Sequence, residues 1–179
     1  TTDEVLSGVD LTGKRYLVTG ASGGLGLETS RALAASGATV VMAARNESKN
    51  EAAIATIKEQ HPQASLETLT IELGSLASVR VAASEFVARG VPLHGLILNA
   101  GIMATPQEKT IDGFESQFGV DHLGHFLLAR ELLPLLVKSA PARVVVLSSA
   151  GHQMGDVDFD DVNFERRDYE PFLAYGAAK

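Results

Sequence analysis

Cysteine is absent from all 179 residues, which excludes a disulfide framework, a thiolate nucleophile and any zinc site built on cysteine. The redox compartment is left open by that absence. No apolar run has the length needed to cross a bilayer. Together with a polar, acidic stretch from Thr1 to Asp10, this argues against a signal peptide or membrane-spanning segment and makes the cytoplasm the expected location. Basic charge is scarce: 15 Lys and Arg face 22 Asp and Glu, a formal charge of -7. That balance argues against a nucleic-acid-binding surface, although a local basic pocket for one anionic ligand is compatible with it. There is no internal repeat, and no Gly-x-Ser-x-Gly elbow surrounds Ser149 to support hydrolysis.

What is present is an ordinary globular mixture, 45% hydrophobic and 21% charged, of a length that suits one domain spanning residues 1–179. Short β-branched or apolar runs alternate with longer amphipathic stretches, the pattern of repeated βαβ units and a parallel sheet. The runs predict strands at Arg15–Thr19, Thr39–Ala43, Leu66–Leu73, Gly95–Leu98 and Arg143–Leu147. Three- and four-residue apolar spacing predicts helices over Leu25–Ala35, Glu47–Gln60, Leu76–Arg89 and roughly Gly113–Lys138, with Pro134 kinking or splitting the last near Leu133. Ala150–Glu170 has no clear period and reads as a long loop of the kind that covers a binding site.

Directly after the first strand comes Thr19-Gly20-Ala21-Ser22-Gly23-Gly24-Leu25-Gly26, running into a helix. Glycines let a backbone approach a pyrophosphate closely, and a helix N-terminus offers unpaired N–H groups to phosphate oxygens. The bland reading is a tight strand-to-helix turn, but the motif has both the strand and the helix it requires. Gly20, Ser22, Gly24, Leu25 and Gly26 are therefore candidate cofactor contacts. An NAD-selective fold of this kind carries an acid at the end of its second strand. Here Ala44 is followed by Arg45, and a guanidinium suits a 2′-phosphate, so NADP is preferred over NAD. Ser22 could add a hydroxyl to that phosphate. Tyr175 and Lys179 lie four apart, on one face of any helix they form. An adjacent cation favours a phenolate, so the pair can work as a proton donor and the group that tunes it. The bland reading of the same spacing is a packed ring beside a solvated amine.

With these features in one chain, the sequence resembles the short-chain dehydrogenase/reductase family, and its run Phe118-Gly119-Val120-Asp121-His122-Leu123-Gly124-His125-Phe126 resembles the retinol dehydrogenase and protochlorophyllide reductase branch. The resemblance implies a Rossmann-type α/β fold, a doubly wound parallel sheet with strands in the order 3-2-1-4-5. It implies that Asn99-Ala100-Gly101 shapes the adenine side of the cofactor pocket, that Glu72 and Leu73 lie near the adenine, and that Ser149, Tyr175, Lys179 and the position of Asp121 form the catalytic set. Tyr175 would exchange a proton with a carbonyl or alcohol substrate during hydride transfer, Ser149 would hydrogen-bond the same oxygen, and Lys179 would also hold the nicotinamide ribose. Pairing of copies through helices at the sheet edge is a further implication.

The sequence departs from the family pattern in three places. Asp121 stands where the family has Asn; it is isosteric but anionic and could pair with Lys179. Glu72 replaces the more usual Asp. Family members continue past the lysine with further strands that line the substrate pocket, so the expected sheet lacks those C-terminal strands and its fifth strand is an open edge. Two functions stay in view: an NADP-linked oxidoreductase, and a catalytically silent nucleotide-binding or interaction module. His122 and His125, three apart, tempt a metal reading, but no third ligand is signalled.

Overall fold

Alternating side chains along the inner strands of one five-stranded sheet send apolar groups to both faces, and helices on each side cover them. A computed structural model describes residues Thr1–Lys179. The strands are β1 (Arg15–Thr19), β2 (Thr39–Ala44), β3 (Ser65–Thr70), β4 (Gly95–Leu98) and β5 (Arg143–Val146). All neighbours pair in parallel, in the order β3-β2-β1-β4-β5. This is the doubly wound sheet the sequence implied. The main helices are α2 (Gly24–Ala35), α3 (Glu47–Gln60), α4 (Leu76–Ala88), α5 (His125–Lys138) and α6 (Pro171–Ala178), preceded by one short turn, α1 (Thr2–Val5).

Leu17 of β1 and Val41 and Ala43 of β2 point into a cluster with Val79, Phe86, Leu128 and Leu132 from α4 and α5. Their sequence neighbours Val18, Val40 and Met42 point the other way, onto Leu33, Ala34, Ala53 and Ile57 from α2 and α3. Phe86 is fully buried, and truncating such a ring to Ala costs about 3–5 kcal/mol. Because the chain leaves β3 and returns beside β1 to form β4, the loops after β1 and β4 diverge, opening a crevice at the carboxyl ends of these strands. At the other end of the order, β5 pairs only with β4 and its four residues are exposed.

Several boundaries differ from the sequence expectation. β3 ends at Thr70, so Glu72 and Leu73 stand on the loop beyond it rather than on the strand. Helical winding starts at Ser116 instead of Gly113, and α5 runs through Pro134 as one helix. Pro134 is exposed, as is Arg130, whose carbonyl loses its helical partner to the ring, so water can take the place of the missing N–H. The irregularity lies upstream, where Phe118–Gly124 is π-helical. In the long loop, Ala150–Gln153 forms a 3-10 turn. Polar Thr1–Asp10 supplies α1, which docks on α2 through Arg31 bonded to Asp3 and Glu28.

Candidate active site

The turn after β1 is shaped by contact at both of its ends. Gly20 adopts φ +67°, a left-handed conformation that side-chain-bearing residues avoid. At Gly26 a Cβ would run into the Gly20 carbonyl and lie 2.6 Å from Asn99 Nδ2, so only glycine lets α2 press against the turn. The N-cap of α2, Gly23, provides no side-chain acceptor, and the first turn holds no acid. By contrast, α3, α4 and α6 are capped by Asn46, Ser75 and Glu170. The free N–H groups and positive dipole end of α2 thus face the crevice.

At the end of β2, Ala44 is buried and Arg45 extends into solvent, 76% exposed, with Nη1 3.9 Å from Glu72 Oε2. Glu72 is fixed locally: its Oε1 accepts the Gly74 N–H at 3.0 Å and its own N–H donates to Ser78 Oγ at 3.0 Å. A guanidinium and a carboxylate therefore share one rim, only loosely paired.

Where β1 and β4 separate, side chains replace the backbone ladder. The Asn99 and Ala100 N–H groups donate to Thr19 Oγ1 at 2.9 and 3.0 Å, and Asn99 Nδ2 donates to the Thr19 carbonyl at 2.9 Å. Thr19 Oγ1 also lies 2.9 Å from Nε2 of His125, whose Nδ1 is 3.0 Å from the Asp121 carbonyl. A carbonyl can only accept, so Nδ1 carries the proton and Nε2 accepts from the threonine hydroxyl. Burial pushes His125 down to about 4, opposed by its bond to the Asp121 carbonyl, with Lys179 and His122 adding repulsion. The two histidines thus differ in role: His125 is engaged at both nitrogens, and His122 stacks between Phe118 and Phe126.

Ser149 follows β5 and its Oγ accepts the Gly151 N–H at 3.1 Å, which leaves its own proton free to donate. Tyr175 sits in the middle of α6, a helix started by the Glu170 cap and Pro171. Lys179 Nζ lies 5.6 Å from the Tyr175 ring centre and 3.1 Å from Asp121 Oδ2. The Asp121 side chain is fully buried, and its Oδ1 accepts the Ile102 N–H at 2.9 Å. Burial raises the Asp121 carboxyl above its ordinary range, while the Ile102 N–H and Lys179 pull it back.

These pieces surround one cleft of about 580 Å³. Gly20, Ser22, Leu25, Arg45, Glu72, Leu73, Asn99, Ala100, Gly101, Ser149, Tyr175 and Lys179 all line it. Asp121 does not; it stands behind Lys179. Gly24 and Gly26 also lie off the lining and act through the turn. The short chain dehydrogenase family profile matches residues 14–159. The chain belongs to the short-chain dehydrogenase family.

Among relatives, a short-chain dehydrogenase/reductase, prx1, of Penicillium roqueforti is 47% identical over 170 residues, covering 93% of this chain and 49% of its own. Retinol dehydrogenase 12 of Mus musculus is 44% identical over 171 residues, covering 96% and 54%. An uncharacterised protein from Mycobacterium paratuberculosis has a solved structure that superposes with a TM-score of 0.84 at 43% identity, covering 95% of this chain and 59% of that one. The chain therefore spans about half the length of the curated relatives it matches. Short-chain dehydrogenases bind NAD(P). A solved relative from Pseudomonas aeruginosa, RhlG, is an NADP complex, with a TM-score of 0.73 at 26% identity over 94% of this chain and 62% of its own.

Behind the cleft of this short-chain dehydrogenase, Thr19 and His125 support the residues that line it, and no sequence motif marks them. In sequence, Thr19 is the residue before the glycines and His125 stands three from His122 without a third ligand; their bond to each other shows only in the fold. The apolar lining from Ile71, Ile102, Met103, Val120 and Leu147 carries no chemical signature and becomes visible only when the strand ends converge.

Proposed function

We propose that this chain is the cofactor-binding and catalytic part of an NADP(H)-linked oxidoreductase that interconverts a carbonyl and an alcohol. The observation that carries the reading is that Ser149, Tyr175 and Lys179, from two separate segments, face the same cleft as the glycine turn. A silent binding module has no need of that trio in one place. The fit of a dinucleotide rests on the uncapped, acid-free start of α2 and on the Gly26 contact that a Cβ would fill. Arg45, with no acid at the end of β2, supports NADP(H) through its match to a 2′-phosphate.

When bound, the nicotinamide supplies or accepts the hydride. The chain's own residues handle the proton. Tyr175 donates its phenolic proton to the carbonyl oxygen during reduction and takes it back during oxidation. Ser149, whose hydroxyl proton is free, hydrogen-bonds the same oxygen and stabilises its developing charge. The Lys179 ammonium stands beside the ring, 5.6 Å from its centre, as the nearby cation of the proton-transfer pair. Asp121 acts through Lys179, holding the ammonium in place without touching the cleft. A small carbonyl or alcohol compound is the substrate class.

Tyr175→Phe tests this reading. Carbonyl reduction should fall by about a hundredfold to ten-thousandfold, the usual contribution of a positioned acid, while NADPH binding stays near that of the parent. Retained turnover would remove Tyr175 from the mechanism.

A further inference from the structure

Gln117, at the start of the π-helical segment, is fully buried and has three hydrogen bonds from its side-chain amide. Its Nε2 donates to the Pro171 carbonyl at 3.0 Å and to the Tyr169 hydroxyl oxygen at 2.9 Å. Its Oε1 accepts the Ala104 N–H at 2.8 Å. Ala104 is one of two non-glycine residues with positive φ, at 51°, a conformation that persists where its surroundings hold it. Gln117 supplies that hold.

Four residues further on, Asp121 repeats the arrangement: it takes the Ile102 N–H and meets Lys179. Pro171, Tyr175 and Lys179 are likewise spaced by four along α6. Two rungs therefore tie the segment after β4 and the π-helical segment to the two ends of α6, with Tyr175 midway between them. We infer that Gln117 is a positioning residue for Tyr175, setting the start of α6 as Asp121 sets its end. This rests on the oxidoreductase reading for its consequence in turnover, but the geometry itself does not.

The groups around Gln117 explain why an amide is needed. Glu115, also buried, accepts the Gln117 and Phe118 N–H groups at 2.9 and 2.7 Å and lies 3.2 Å from the Tyr169 hydroxyl. A second carboxylate at residue 117 would face Glu115 and the Pro171 carbonyl with no proton to offer. Only a side chain with both a donor and an acceptor joins the Ala104 N–H to the Pro171 carbonyl.

The test uses the chain labelled with ¹³Cζ-tyrosine, which carries three tyrosines, assigned by single Phe replacements and read by NMR as chemical shifts at neutral and acidic pH, with and without NADPH. Gln117→Met keeps the volume and removes the bonds. Gln117→Glu keeps the shape and regains a donor only when protonated. In Gln117→Met the Tyr175 signal should be displaced from its parent chemical shift, as expected when the start of α6 loses its tie and the ring changes its surroundings. The Tyr16 signal should stay fixed. In Gln117→Glu the Tyr175 signal should be displaced at neutral pH and return toward the parent position on acidification. If a carbonyl substrate is in hand, kcat should drop by about tenfold to a hundredfold, the effect of a misplacement near 1 Å, with the NADPH dissociation constant unchanged. A Tyr175 signal identical to the parent in a folded Gln117→Met or Gln117→Glu would overturn the inference. Should Gln117→Met not fold, Gln117→Glu decides alone through its pH-dependent return. The catalytic reading fails separately, through retained turnover in Tyr175→Phe.

Discussion

Acid should weaken this chain through one buried ring. His125 is neutral in the fold, with its value pushed from 6.5 down to about 4 chiefly by burial. Between those values the unfolded chain binds a proton that the folded chain refuses, so stability falls as pH drops through the window. The contribution is fully present above about pH 6.5 and lost by about pH 4. Working the linkage through, about 2 kcal/mol disappears between pH 7 and pH 5, and about 3 kcal/mol by pH 4. Asp121 runs the opposite way. Its raised carboxyl makes the folded chain hold a proton more readily than the unfolded one, so it offsets part of the loss just above the ordinary carboxylate range. The consequence reaches the site, because protonated His125 can no longer accept from Thr19, and Thr19 Oγ1 already takes the Asn99 and Ala100 N–H groups. The assay is urea unfolding at pH 7, 6 and 5 on the parent and on His125→Gln, with NADPH titrations alongside. The parent should lose about 2 kcal/mol more than the variant between pH 7 and pH 5, and its cofactor affinity should fall over the same range. A difference curve flat with pH would refute the reasoning, since it would mean His125 titrates alike folded and unfolded.

Four other outcomes follow from the geometry. Arg45→Asp should weaken NADPH by about tenfold or more and spare NADH, as expected for losing a charge-assisted phosphate contact; an unchanged affinity ratio by fluorescence titration would move the 2′-phosphate elsewhere. Glu72→Gln, which frees Arg45 from its exposed partner, should tighten NADPH by up to about fivefold, since such surface pairs are worth about 1 kcal/mol at most; looser binding would mean that the carboxylate itself serves the cofactor. Gly26→Ala should cost about 1–3 kcal/mol in thermal unfolding through overpacking and weaken both dinucleotides, and normal binding in that variant would place the pyrophosphate away from the turn. Asp121→Asn keeps the Ile102 contact and removes the anion beside Lys179, so the acid limb of the turnover profile should move; identical profiles would show that Asp121 has no electrostatic hold on the proton-transfer residues.

The sheet was legible because each strand is a short apolar run bounded by turn residues, and because βαβ alternation leaves few ways to order five parallel strands. Boundaries were less legible. Nothing in Leu69-Thr70-Ile71-Glu72-Leu73 says where pairing with β2 stops, since alternation continues past the last ladder bond. Pro134 predicts a break by propensity, which takes no account of which face of a helix meets water, and α5 runs through it. The cleft-facing residues were found because the glycine turn, Asn99, Ser149, Tyr175 and Lys179 are read by type and spacing. Thr19, Gln117 and His125 are not legible in that way, because each acts through a hydrogen-bond partner distant in sequence: backbone groups for Thr19 and Gln117, and the Thr19 hydroxyl for His125.

The crevice opens at a place where no bond has to be broken. β1 and β4 stop sharing backbone hydrogen bonds as they diverge, and Thr19 and Asn99 bridge the gap with side chains. The two strand ends are therefore held at this point by a pair of side chains and not by the backbone ladder. Replacing Thr19 by Val would keep its shape yet free the Asn99 and Ala100 N–H groups, so the floor of the crevice would lose its tie while the paired part of the sheet kept its register.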